Sequence, residues 1–141
     1  MPRLSAPARR VLDELVVRHG YPGRAVEFAR SLGLRNRFQL ARLLQQEGLP
    51  VLEELAGWIR VLLWLADWEA TGTSLSRTAL DHIRDPAVCY RTVERITGFP
   101  WSCVRQRGFD WVLLTLVSRC LPPASARRAG RQRVGAPQVI A

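Results

Sequence analysis

From Leu52 to Gly72 the chain reads LEELAGWIRVLLWLADWEATG, and this stretch limits the fold more than any other. Leu52, Leu55, Ile59, Leu62 and Ala66 recur at three- and four-residue steps, which puts them on one stripe of a helix. Trp58, Leu63, Trp64 and Leu65 widen that stripe beyond what a lone surface helix buries. Such a helix must pack against material on both sides. Glu53, Glu54, Arg60, Asp67 and Glu69 interrupt it, so the unbroken apolar run of about 20 residues that a membrane span needs is missing. From Leu52 to Ala70 the helix would be about 28 Å long at ~1.5 Å per residue.

The flanks look like one small motif written twice. In the first half, Ala6 to His19 reads as a helix with Val11, Leu12, Leu15 and Val16 inward. Pro7 suits its first turn, and Gly20-Tyr21-Pro22-Gly23 stops it. Arg24 to Leu32 follows as a short helix with Val26, Ala29 and Leu32 inward. Gly33 supplies the positive φ that a tight turn needs, and Leu34 plugs the core. A third helix runs from about Asn36 to Glu47, with Leu40, Leu43 and Leu44 inward. Arg37, Phe38, Ala41, Arg42 and Gln45 face outward. Gly48 and Pro50 end it. A short helix, a glycine turn and a second helix with a basic outer face make a helix-turn-helix candidate.

The second half repeats the pattern. Thr73-Ser74 offers an N-cap for the helix Leu75 to Asp81. His82 takes the turn and Ile83 the plug. Asp85-Pro86 reads as N-cap and first helical residue of a helix from Pro86 to Ile96. Cys89, Val93 and Ile96 point inward; Ala87, Tyr90, Arg91, Glu94 and Arg95 point outward. The pairs Gly33/His82, Leu34/Ile83, Leu40/Cys89, Arg42/Arg91 and Leu44/Val93 all share an offset of 49 positions. Trp101 to Arg107 is a short helix that Gly108 breaks. Phe109 to Leu121 is apolar and caps the second motif or mates with another chain. The tail from Pro122 has no periodicity and no acid, and reads as disordered and basic.

The expected fold is therefore all-α, with two helix-turn-helix subdomains joined by a long central helix. Residues 1–50 form the first subdomain, 51–72 the linker helix, 73–121 the second subdomain and 122–141 the tail. The 21 basic residues, every one an arginine, outnumber the 12 acids and give a net charge of +9. Arginine forks fit phosphate oxygens and guanine edges, so the balance points to a nucleic-acid partner. Cys89, Cys103 and Cys120 are odd in number and lack metal spacing, as expected of reduced thiols in a cytoplasmic protein. The N-terminus MPRLSAPARR lacks an apolar signal core, so export is not expected. Only His19 and His82 are available for acid–base work, and no nucleophile stands at suitable spacing. No phosphate loop or metal signature appears, so neither catalysis nor a cofactor is expected.

Taken together, AVEFARSLGLRNRFQLARLLQQEGLP and GWIRVLLWLADWEATGTSLSRTALDHIRDPAVCYRTVERITGFPWSCVRQRG resemble the DNA-binding region of AraC/XylS-type transcription regulators. The family's Ala-x-x-x-Gly element matches Ala29 to Gly33, and its arginine on the first reading helix matches Arg42. In the second half Pro86, Arg91, Thr97 and Gly98 match. Where the family has glycine in the second turn, this chain has His82. The resemblance spans about Arg24 to Arg107. It implies a transcription regulator that binds double-stranded DNA at the nucleoid through two major-groove helices.

Two such helices should sit about one duplex turn apart, ~34 Å, a separation that a helix of about 28 Å can set. Phe38 and Ala41 would touch base edges or a thymine methyl, and Arg42 would fork onto guanine. Arg35, Asn36 and Arg37 lie at the helix N-terminus, where phosphates are favoured; Gln45 lies on the same outer face. Pro86, Ala87, Tyr90 and Arg91 are the second-half equivalents, with Arg95 on phosphate. The alternative is a helical protein-interaction module whose DNA surface has degenerated, with a partner or second copy captured through Phe109–Leu121.

Overall fold

The structure, a computed structural model, describes Leu4 to Cys120. The expectations for Leu121 and for the basic tail from Pro122 lie outside the described residues. Among those described, the chain is all-α, with no strand: α1 (Ala6–Val17), α2 (Ala25–Ser31), α3 (Arg37–Gln46), α4 (Leu52–Thr71), α5 (Leu75–Asp81), α6 (Pro86–Thr97), α7 (Trp101–Arg107) and α8 (Phe109–Arg119). No described helix is long and apolar enough to cross a membrane.

Local chemistry accounts for where the helices begin. Ser5 Oγ accepts from Ala8 N, Asn36 Oδ1 from Gln39 N, Ser74 Oγ from Arg77 N and Asp85 Oδ1 from Ala87 N. Each such cap is worth about 1 kcal/mol. Helix α4 has no side-chain cap, but Glu53 and Glu54 sit in its first turn, where the helix dipole favours negative charge. The start of α8 borrows its cap from α4: Glu69 Oε1 accepts from Phe109 N at 2.9 Å. That bond satisfies an orphan donor and ties the last helix to the central one.

Helix α4 has 20 residues and so spans about 30 Å. It carries a core on each of two faces. Leu55, Ala56 and Ile59 join Val11, Leu15, Phe28, Ala29, Leu32, Leu40 and Leu44 of α1 to α3. Trp58, Val61, Leu62, Trp64 and Leu65 join apolar side chains from α5 to α8. The single stripe expected from Leu52 to Ala66 is thus split, with Leu62 belonging to the second face. Gly57 lets α6 press close: a Cβ there would lie 2.5 Å from Ile96 Cδ1. The Trp58 side chain is fully buried, and its indole N–H finds no acceptor among the described residues.

Several inward assignments need correction. Val16 is 45% exposed, because α1 rests on the core through Ala8, Val11 and Leu15, with Leu12 packed against them. Phe28, unassigned from the pattern, is fully buried, whereas Val26 is only half-buried. Ile83 is no plug: it is 95% exposed. It holds the left-handed position of the second turn at φ 53°, where Gly33 stands at φ 78° in the first. His82 is instead the C-cap of α5, at φ −100°. The paired bonds Leu34 N to Ala29 O and Arg84 N to Ala79 O fix this register. The left-handed residues are therefore offset by 50, but the N-caps Asn36 and Asp85 by 49. The second turn is one residue shorter, and Arg84 replaces the half-buried Leu34.

Helix α8 packs back onto α4. Val112 and Leu116 are buried in the second core, with Trp111 and Leu113 against it. Of the large apolar side chains on this helix, Leu114 stays 65% exposed.

Candidate nucleic-acid interface

Helix α3 follows the turn at Gly33 and shows its polar side to solvent. Arg35, Asn36, Arg37, Phe38, Ala41, Arg42 and Gln45 are all exposed. Their N-terminal members are held in place. Asn36 Oδ1 takes the Gln39 amide, and Gln39 Oε1 takes the Arg35 amide at 2.7 Å. This is a reciprocal cap of the capping-box kind, and the Asn36-x-x-Gln39 spacing that signals it was legible in the sequence. Asn36 thus spends its amide oxygen on the helix, leaving its NH2 as the group that can donate outward.

Arg37 lies with its guanidinium carbon 5.0 Å from the centre of the Phe38 ring. A cation over an aromatic face is held electrostatically, so Arg37 is drawn toward the surface that Phe38 marks. Phe38 is 66% exposed. Together with Ala41, Gln45, Val51 and Leu52 these side chains line a largely apolar groove of about 550 Å³.

Helix α6 presents Ala87, Tyr90, Arg91 and Arg95 to solvent, with Pro86 half-buried at its first position. The Tyr90 hydroxyl is paired with Ser76 Oγ of α5 at 3.0 Å, so its ring is anchored across the helix pair. The contact joins residues 14 apart, and no local pattern announces it.

Among the described residues none of Arg35, Arg37, Arg42, Arg91 and Arg95 is ion-paired; the pairs are Arg18–Glu14, Arg24–Glu27 and Arg77–Asp81. The two helix starts differ in charge. The cap of α3 is a neutral asparagine beside Arg35 and Arg37; that of α6 is the carboxylate of Asp85 beside Arg84. An anion approaching along the helix axis is favoured at the first and opposed at the second.

The halves also touch each other away from α4. His19 has left the helix expected to contain it: α1 ends at Val17, and His19 is left-handed at φ 56°. Its ring lies 5.6 Å from that of His82. Beside them, Arg60 of α4 and Arg84 of the second turn both approach Tyr21. Burial raises the Tyr21 phenol above its ordinary value and lowers the Arg60 guanidinium. A cleft of about 350 Å³ opens here, lined also by Trp64, Val88 and Cys89. Burial also raises the Cys89 thiol. Among the described residues no three of His, Cys, Asp or Glu gather as metal ligands.

These features define an all-helical protein in which two helix pairs share one central helix, each pair showing arginines on its second member. No family model matches the chain, and neither a curated protein nor a solved structure shows significant similarity to it.

Proposed function

We propose that the chain is a sequence-specific DNA-binding transcription regulator of the AraC/XylS type, acting at the nucleoid, with α3 and α6 entering successive major-groove segments. The observation that carries this reading is the pairing of exposed arginines, without ion-pair partners among the described residues, with a repeated short helix, left-handed turn and longer helix. An arginine on such a second helix reaches base edges in a groove about 12 Å wide.

In this reading Arg42 forks onto guanine, while Phe38 and Ala41 contact base edges or a thymine methyl. Arg35 meets phosphate at the neutral start of α3. Arg37, drawn to the Phe38 ring, works beside it rather than as a separate phosphate anchor. Arg91 reads bases in the second segment, flanked by Pro86, Ala87 and the anchored Tyr90, and Arg95 meets phosphate. The Asp85 carboxylate makes the second segment the weaker anchor.

The test is a titration of a random genomic fragment pool at several salt concentrations. Binding should fall steeply as salt rises, because phosphate contacts release counterions. A flat salt dependence, or no shift at low salt, defeats the reading.

A second reading, a helical interaction module, is favoured by the apolar surface at the second turn. There Leu80 is 63%, Ile83 95% and Val88 49% exposed. Absence of any DNA shift, with retention of a protein partner that Ile83→Asp abolishes, would favour it.

A further inference from the structure

We propose that Tyr21 is a positioning residue that locks the angle between the two halves, and so limits the protein to one spacing between its two DNA elements. The second clause rests on the DNA-binding reading; the first does not. Tyr21 lies in the connection between α1 and α2. That connection is pinned to α4, since Arg60 Nη1 donates to Gly20 O at 2.7 Å. Gly20 stands at φ 79°, and a Cβ there would come within 2.9 Å of Arg60 N and 3.1 Å of Ala56 O. Only glycine allows the connection to lie so close.

From this anchorage the Tyr21 ring meets two cations. The Arg60 guanidinium carbon is 5.0 Å from its centre, and that of Arg84 is 4.1 Å. Neither arginine is ion-paired among the described residues. Left to themselves, two like charges separate; the face of an aromatic ring attracts both. Tyr21, from the first half, therefore holds Arg84 of the second half beside Arg60 of the shared helix, where the two cations alone would repel. Arg84 immediately precedes Asp85, the N-cap of α6, so fixing Arg84 fixes the start of that helix. The contact lies off the α4 axis, and it resists the twisting and bending that a long helix otherwise permits. One inserted base pair shifts an element by about 3.4 Å along the duplex and turns it by about a tenth of a turn. A locked pair of halves does not follow that change; a loosened pair does.

The test uses the full chain, a selected duplex, and the same duplex with one or two base pairs inserted or removed between the elements. Tyr21→Phe keeps the ring. Tyr21→Leu keeps apolar bulk without it, and Arg84→Gln removes one cation. Wild type and Tyr21→Phe should lose about as much affinity per misplaced base pair as a mismatch causes, roughly tenfold. Tyr21→Leu and Arg84→Gln should tolerate the change with markedly smaller losses, yet bind the isolated first element as wild type does. Without DNA, residual dipolar couplings from α3 and α6 should fit one alignment tensor in wild type and fail to do so in Tyr21→Leu. Wild-type spacing preference and a single tensor in Tyr21→Leu would overturn the lock. If wild type binds no duplex, the DNA reading fails and the couplings alone decide on Tyr21.

Discussion

The guanidinium of Arg84 sits 4.1 Å from the centre of the Tyr21 ring, across the seam between the two halves of the chain. A long central helix was expected to hold the halves apart by itself. Instead they share that helix on two faces and touch each other beside it. The separation of their arginine-bearing surfaces is thus set by two devices, a helix of 20 residues and a cluster of side chains around Tyr21. Sensitivity to substitution should concentrate at these places and at the second turn.

Ile83 should be replaceable at a gain. A β-branched residue at φ 53° carries a left-handed conformation that costs L-residues roughly 1–2 kcal/mol. At 95% exposure its side chain returns almost no burial. Ile83→Asn, which enters that region more readily, should stabilise by about 1 kcal/mol. Urea unfolding measures this; an unchanged or lower midpoint would show that the isoleucine is held there by a contact.

Arg42→Ala and Arg35→Ala should separate base reading from phosphate anchoring. The first should relax preference at one base position at a cost of about 1–3 kcal/mol on the cognate site. The second should weaken all sequences alike and lower the salt slope by about one phosphate. Titration of a selected duplex and its single-base variants gives both quantities. Equal, sequence-blind losses would remove the division of labour along α3.

Trp58→Phe should cost little for so deeply buried a residue. The substitution loses ring volume, but it also removes an indole donor that has no partner among the described residues, and such a donor costs roughly 1–3 kcal/mol. Trp58→Ala keeps that gain but opens a cavity, so it should lose about 3–5 kcal/mol. Thermal unfolding of the two variants compares them. A Trp58→Phe loss as large as that of Trp58→Ala would mean the indole N–H is satisfied in solution.

Stability should decline above about pH 8.5, the ordinary thiol range. Burial raises the Cys89 and Cys120 thiols, so the folded chain retains protons that the unfolded chain gives up. The stabilisation is complete below that range and is lost as pH rises toward the raised folded values. Cys89→Ala should flatten the decline; an identical slope in the variant would assign the effect elsewhere.

The sequence made much of this fold legible where a local rule decided the outcome. Ser74, Asp85-Pro86, Gly98 and Gly108 mark their helix ends because caps and left-handed stops are chemistry of a few adjacent residues. The central helix was legible because its apolar excess exceeded what one face can bury. What failed was register and reach. The offset of 49 that aligns Leu40 with Cys89 is valid only after the turn. Carrying it back through a turn one residue shorter made Ile83 a plug, when its place is that of Gly33. Phe28 carries no legible signal because α2, with only 7 residues, is too short for a period to stand out. The contacts that shape the candidate surface, Ser76 with Tyr90 and Tyr21 with Arg84, join distant segments and have no local signature.

Footprinting on duplexes selected from a random pool tests the two-segment reading most directly. The expected result is two protected patches on one face of the duplex, about 10–10.5 base pairs apart. Arg42→Ala should erase contact at a base within one patch, and Arg91→Ala at a base within the other. A pool from which nothing is retained at low salt, or a single patch that both variants affect alike, would contradict it.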